Sequence, residues 1–216
     1  MHLPEAATRF QTAMSFCDDV VKIHRQAGSG GRGRRKAETT LNRAVIVMAI
    51  AGWQVAIENL AQTGIDEAQN QRGSAIITSY RNLVQSAIDR FSTPNSQLSR
   101  QLLQSVGYDP QQDWMGAQVP GRPMVLGPNQ PSLSQPEVLD AWIRIRHAIA
   151  HGDPSLPAEP VLQHVRDRVS EQKLQPTTPG LRLVDAKSCI LFVRRLAQTT
   201  GDGFARQMGM KPENWC

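Results

Sequence analysis

Cysteine and long apolar runs are scarce in this sequence, and each scarcity excludes a class of protein. The three cysteines, Cys17, Cys189 and Cys216, are far apart and show no CxxC spacing, so they indicate neither a zinc site nor a disulfide framework. The longest apolar run, residues 44–53, is about half of the roughly 20 residues that a membrane span requires, so it predicts a core helix. The N-terminus has no basic start followed by an apolar stretch, and we therefore expect a cytoplasmic protein.

Strand patterns are scarce as well. Aromatic residues make up only 5% of the chain, and no run alternates apolar and polar residues between turns. Apolar residues recur at helical spacing instead. The predicted helices cover residues 4–27, 37–62, 66–91 with a bend near Gly73, a short segment ending at Leu103, 157–174 and 185–208. The predicted fold class is therefore all-α, with one helical bundle domain spanning residues 1–216.

Two segments contain too much glycine or proline for a helix. Residues 28–36, GSGGRGRRK, predict a flexible loop whose cations either stay in solvent or grip the phosphates of RNA. These cations are Arg32, Arg34, Arg35 and Lys36. Residues 109–133 predict a long loop or lid before the next helix. The net charge of +5, from 24 basic and 19 acidic residues, permits a polyanionic partner without requiring one.

The stretch RIRHAIAHGD, residues 144–153, belongs to a helix that begins at the capping box SQPE, residues 134–137. At 100° per residue one helix face is apolar and predicts core contacts, through Val138, Trp142, Ile145 and Ile149. The opposite face is a polar stripe of Asp140, Arg144, His147 and His151. An ordinary helix end explains part of this pattern, because histidine interacts favourably with a helix C-terminus and Gly152 is a typical cap.

The segment RHAIAHGD, residues 146–153, resembles the signature of the HEPN family of ribonucleases, in which an arginine is followed after four to six residues by a histidine. Residues 41–60 resemble the long second helix of bacterial RiboL-PSP-type HEPN domains, and residues 90–114 resemble their turn and short helix. The resemblance implies a helical domain that dimerises so that two motifs meet at the interface. It also implies RNA cleavage without a metal or other cofactor, leaving a 2′,3′-cyclic phosphate and a 5′-hydroxyl.

Such cleavage needs a base for the 2′-hydroxyl, an acid for the leaving 5′-oxygen and a cation for the charge on the phosphate oxygens. Histidine suits the first two roles near neutral pH, and the forked donors of arginine suit the third. DNA lacks the 2′-hydroxyl and should resist this route. The resemblance implies proton transfer by His151, phosphate binding by Arg146 and an orienting role for His147.

The position of the arginine leaves three arrangements open. In an unbroken helix Arg146 lies about 140° from His151, whereas Arg144 lies within about 20° of it. Either a two-fold interface lets Arg146 act across the dimer, or the helix ends before His151, or Arg144 takes the phosphate role.

A different class of function is a non-catalytic HEPN module that dimerises and binds RNA or nucleotides. A third is a toxin neutralised by a nucleotidyltransferase antitoxin that modifies a tyrosine two residues after the motif histidine. Asp153 occupies that position here, which argues against this mode. The favoured hypothesis is a HEPN endoribonuclease that acts as a toxin or phage-defence effector, with an antitoxin or defence protein as a possible partner.

Residues outside the motif helix give weaker signals. Glu58 lies where the long helix turns polar, and it either supports an active-site residue or is a solvated carboxylate. Trp53, Trp114 and Trp142 predict core anchors rather than platforms for stacking bases. His24 and His164 are expected at the surface, and no cluster of histidines and carboxylates has the spacing of a metal site.

Overall fold

The computed structural model describes residues 1–26, 34–71, 75–115, 133–170 and 180–216, with side chains over 1–24, 38–69, 78–115, 133–166 and 180–216. These ranges contain eight α-helices and no β-strand, which confirms the all-α prediction. The helices are α1 (Leu3–Gln26), α2 (Arg34–Gln71), α3 (Ala75–Asp89), α4 (Ser96–Gln104), α5 (Gln111–Met115), α6 (Gln135–His151), α7 (Gln163–Ser170) and α8 (Leu183–Gln207).

Helix α2 is longer at both ends than the predicted helix over residues 37–62. Thr63 and Gly64 are poor helix formers, so the sequence indicated an end there. Both residues are buried, and a Cβ at Gly64 would lie 2.8 Å from the Cβ of Val106. Glycine thus allows close packing at a buried turn, and that packing compensates for low helix propensity. The predicted helix over 66–91 is wrong in its first part, which belongs to α2, and the predicted bend at Gly73 lies outside the described residues.

Both predicted loops contain helix. Arg34, Arg35 and Lys36 lie in the first turn of α2 rather than in a loop over 28–36, since arginine and lysine are good helix formers. Residues 27–33, which include Arg32, lie outside the described residues.

The predicted loop over 109–133 is wrong at α5. There Trp114 is buried and donates a hydrogen bond from Nε1 to Oγ1 of Thr200 on α8, at 2.9 Å. This long-range contact stabilises a helix of only five residues, which local sequence does not specify. Residues 116–132 lie outside the described residues.

The core is built around α2, which contacts α1, α3, α4, α6 and α8. The predicted anchors Trp53, Trp114 and Trp142 are all buried, as expected. A further anchor, Trp215, packs against Phe10 with ring centroids 5.8 Å apart. The part of α2 over Glu38–Gln69 is long and apolar enough to cross a membrane, but 61% of its most apolar window is buried inside the fold, as in the core helix of a soluble protein.

The start of α6 is held by local and long-range hydrogen bonds. Ser134 donates from its backbone N and from Oγ to Oε2 of Glu137, both at 2.7 Å, at the predicted capping box. The carboxylate of Asp140 accepts from the backbone N and Oγ of Ser96, at 2.8 and 2.7 Å, and so caps the first turn of α4. The Asp140 carboxylate is therefore occupied by hydrogen bonds from α4, and it does not form part of an open polar stripe.

The end of α6 is a Schellman motif. Gly152 has a φ of 71° and donates its N–H to the carbonyl of Ile149, and Asp153 donates to the carbonyl of Ala148 at 2.9 Å. His151 is thus the last residue of a continuous helix, and the arrangement in which the helix ends before His151 is excluded.

The segment between α6 and α7 is a series of turns, so the predicted helix over 157–174 begins too early. Pro157 and Pro160 lack the N–H that helix formation needs, except near a helix start. The backbone N of Glu159 donates to the carbonyl of Pro157, and the N of Leu162 donates to the carbonyl of Glu159. Buried side chains on both sides, Leu156 and Leu162, fix this segment against the core.

Candidate active site

The two histidines of α6 form a stacked pair at the exposed end of the helix. His147 and His151 are one turn apart, with ring centroids separated by 5.9 Å and ring planes at 11°. His151 is exposed and His147 is partly exposed. Within the described part of the chain neither imidazole makes a hydrogen bond or ion pair. The ring nitrogens of both imidazoles are therefore available for hydrogen bonds to a ligand or solvent.

Arg144, on the same face, is held by a bidentate ion pair. Its Nε donates to Oε1 of Glu159 at 2.5 Å, and its Nη2 donates to Oε2 at 2.8 Å. The hydrogen bond to Glu159 raises the pKa of the Arg144 guanidinium above its ordinary value. The guanidinium side chain is 56% exposed, whereas that of Glu159 is only 11% exposed.

Arg146, the arginine of the HEPN-like motif, has different surroundings. Its side chain is partly exposed, and it makes no hydrogen bond or ion pair with any residue that the structure describes. Because α6 is unbroken, Arg146 lies about 140° around the helix from His151. Two of the three arrangements therefore remain: Arg146 acts across a two-fold interface, or Arg144 takes the phosphate role.

Glu58 lies half-buried on α2 and accepts a hydrogen bond from Nε2 of Gln54 at 2.8 Å. Burial raises the pKa of the Glu58 carboxyl above its ordinary value. The same Gln54 amide donates to the carbonyl of Phe91, which links α2 to the turn before α4. No hydrogen bond or ion pair among the described residues joins Glu58 to the histidines of α6.

No described contact joins the predicted RNA-binding cations of residues 32–36 to the histidine pair. Arg32 lies outside the described residues, and for Arg34, Arg35 and Lys36 only the backbone is described. Their role in RNA binding stays a prediction.

Two further histidines, His24 and His164, are partly exposed and line a surface groove of about 660 Å³ together with Asn42. The part of the chain that the structure describes holds no group of three histidine, cysteine or carboxylate side chains that could bind a metal ion.

Glu159 is the site residue that sequence reasoning missed. The signal was a single carboxylate in the proline-containing stretch SLPAEP, residues 155–160, shortly after the motif. A carboxylate in an otherwise apolar stretch is buried only when it pairs with a cation or accepts hydrogen bonds. The turns between α6 and α7 decide which cation pairs with Glu159, and local sequence does not specify those turns.

Comparison with protein-family models, with curated proteins and with solved structures finds no match for this chain.

Proposed function

We propose that this protein is a metal-independent RNA endonuclease of the HEPN type. The observation that carries the proposal is the stacked pair of His147 and His151, which has no internal hydrogen-bond partner among the described residues and shares its helix face with Arg144. Proton-transfer groups without structural partners, beside cations that attract phosphate, match the requirements of 2′-hydroxyl attack on the adjacent phosphorus.

His151 transfers a proton during cleavage, and His147 orients the substrate or its neighbouring imidazole. Neither imidazole is buried or hydrogen-bonded to a described residue, so neither is a histidine that the core requires. The products of this route are a 2′,3′-cyclic phosphate and a 5′-hydroxyl.

In this proposal the protein acts as a homodimer in which two α6 helices approach each other. Arg146 has no described partner within its own chain and lies away from His151. A two-fold axis would bring Arg146 of one protomer to the histidines of the other, where it would add its charge to that of Arg144. The HEPN resemblance further suggests a cytoplasmic toxin or phage-defence effector, controlled by an antitoxin or a defence protein.

The decisive experiment incubates the purified protein with a fluorescently labelled RNA in the presence of EDTA. We expect cleavage of RNA, no cleavage of the 2′-deoxy oligonucleotide of the same sequence, and fragments lighter by one water than linear phosphates in mass spectrometry. Protein carrying His151→Ala, purified in the same way, controls for contaminating ribonuclease. Binding of RNA without cleavage would replace this proposal by the non-catalytic module that binds RNA or nucleotides.

A further inference from the structure

Arg144 and the two histidines form one continuous surface on α6. Arg144, His147 and His151 are spaced by three and four residues, which places them within about 60° of one another around the helix. Along the helix axis Arg144 lies about 4.5 Å from His147 and about 10.5 Å from His151, at 1.5 Å per residue. A phosphate held at Arg144 would therefore be close to the histidine pair.

The pairing of Arg144 with Glu159 uses only one edge of the guanidinium. An arginine side chain carries five N–H donors in a planar fork. Nε and Nη2 each direct one N–H to Glu159, so the two N–H groups of Nη1 and the second N–H of Nη2 remain. Among the described residues these donors meet no acceptor. The remaining edge has the geometry that binds two oxygens of a phosphate.

Glu159 is suited to fix the direction of that edge. Its side chain is only 11% exposed, and its backbone is held in the turns between α6 and α7. A buried carboxylate is costly unless it is paired, so the bidentate contact with Arg144 is strongly favoured over a loose one. The exposed Arg144 guanidinium is therefore paired with a carboxylate that is almost fully buried.

A second arginine pair in this protein lacks this arrangement. Arg100 makes the same bidentate contact with Asp109, with distances of 2.8 and 2.7 Å. In that pair both partners are substantially exposed, at 36% and 44% of their side-chain areas. No histidine accompanies the Arg100 contact within its own helix, α4.

We infer that Glu159 is a positioning residue that holds Arg144 with its Nη1 and Nη2 donors directed at a substrate phosphate beside His147 and His151. The inference rests on the proposed RNA cleavage. A cation that is already oriented before the substrate arrives stabilises developing charge without reorganising. Removal of the anchor should therefore lower turnover more than it lowers RNA affinity.

The test compares steady-state cleavage of a short RNA by wild type, Glu159→Gln, Arg144→Ala and the double variant. The glutamine keeps the shape of the side chain but loses its charge and one of the two accepted hydrogen bonds. We expect kcat per folded molecule to fall by roughly 10-fold or more in each single variant, with a smaller change in KM. Because Glu159 acts through Arg144, the double variant should cleave no more slowly than Arg144→Ala alone.

The matched control is Asp109→Asn, which breaks the bidentate pair of Arg100 and Asp109 and should leave cleavage unchanged. If Glu159→Gln turns over RNA like wild type, or if the two single losses multiply in the double variant, the inference is wrong while the ribonuclease proposal stands. If wild type shows no cleavage that His151→Ala abolishes, both the inference and the proposed function are overturned.

Discussion

The imidazole rings of His147 and His151 lie nearly parallel, 5.9 Å apart, at the last turn of α6. Their four-residue spacing accounts for the shared face. The Schellman motif at Gly152 then ends α6, so His151 is the last residue of this helix. This combination produces an open pair of imidazole rings, neither of which hydrogen-bonds to a described residue.

His151→Ala should reduce RNA cleavage by roughly 10²- to 10⁴-fold, the range typical of a lost general acid or base. The fold should survive, because the side chain is exposed and makes no described hydrogen bond. Initial rates on a labelled RNA and the far-ultraviolet circular dichroism spectrum check the two halves of this prediction. His2→Ala, outside α6, serves as the control. Cleavage by His151→Ala at the wild-type rate would show that His151 is not catalytic.

Mixing two inactive variants tests whether Arg146 acts across a dimer. Arg146→Ala and His151→Ala should each cleave RNA poorly alone. In a two-fold dimer with shared sites, a mixed dimer regains one intact site, so about a quarter of wild-type activity should return when equal amounts exchange subunits. Activity of the mixture no greater than that of its components, with subunit exchange confirmed by mass spectrometry, would place Arg146 and His151 in separate roles.

Asp140→Ala should destabilise the protein without affecting catalysis. The substitution removes two hydrogen bonds to Ser96 that cap α4. A lost cap of this kind costs about 1–2 kcal/mol in the free energy of unfolding, measured by urea denaturation. RNA cleavage per folded molecule should stay at the wild-type value. A large fall in kcat with unchanged stability would instead show that Asp140 acts in catalysis, as part of the polar stripe that the sequence indicated.

Native protein should expose one reactive thiol out of its three cysteines. Cys17 and Cys189 are buried, and burial raises the pKa of the Cys17 thiol to about 11 and that of Cys189 well above its ordinary value. Little thiolate therefore forms at pH 8 at either position. Cys216 is exposed and should react rapidly with a disulfide reagent. Cys216→Ser should abolish the rapid phase, and reaction of two or more thiols without denaturant would contradict the buried positions.

The sequence by itself determined the features that arise from neighbouring residues. The all-α class follows from apolar spacing, and the bounds of α6 follow from a capping box and a glycine in the left-handed conformation. The shared face of His147 and His151 follows from helical periodicity alone. Each of these interactions lies within a few residues along the chain, so local sequence contains the information.

Tertiary structure decided what the candidate site residues contact. Asp140 and Arg144 looked alike as parts of one polar stripe, yet one caps α4 and the other pairs with Glu159. The short helix α5 exists because Trp114 reaches Thr200, far along the chain. Such contacts depend on how buried turns bring distant segments together, and the gain from burial and pairing then outweighs the local preference that a sequence reveals.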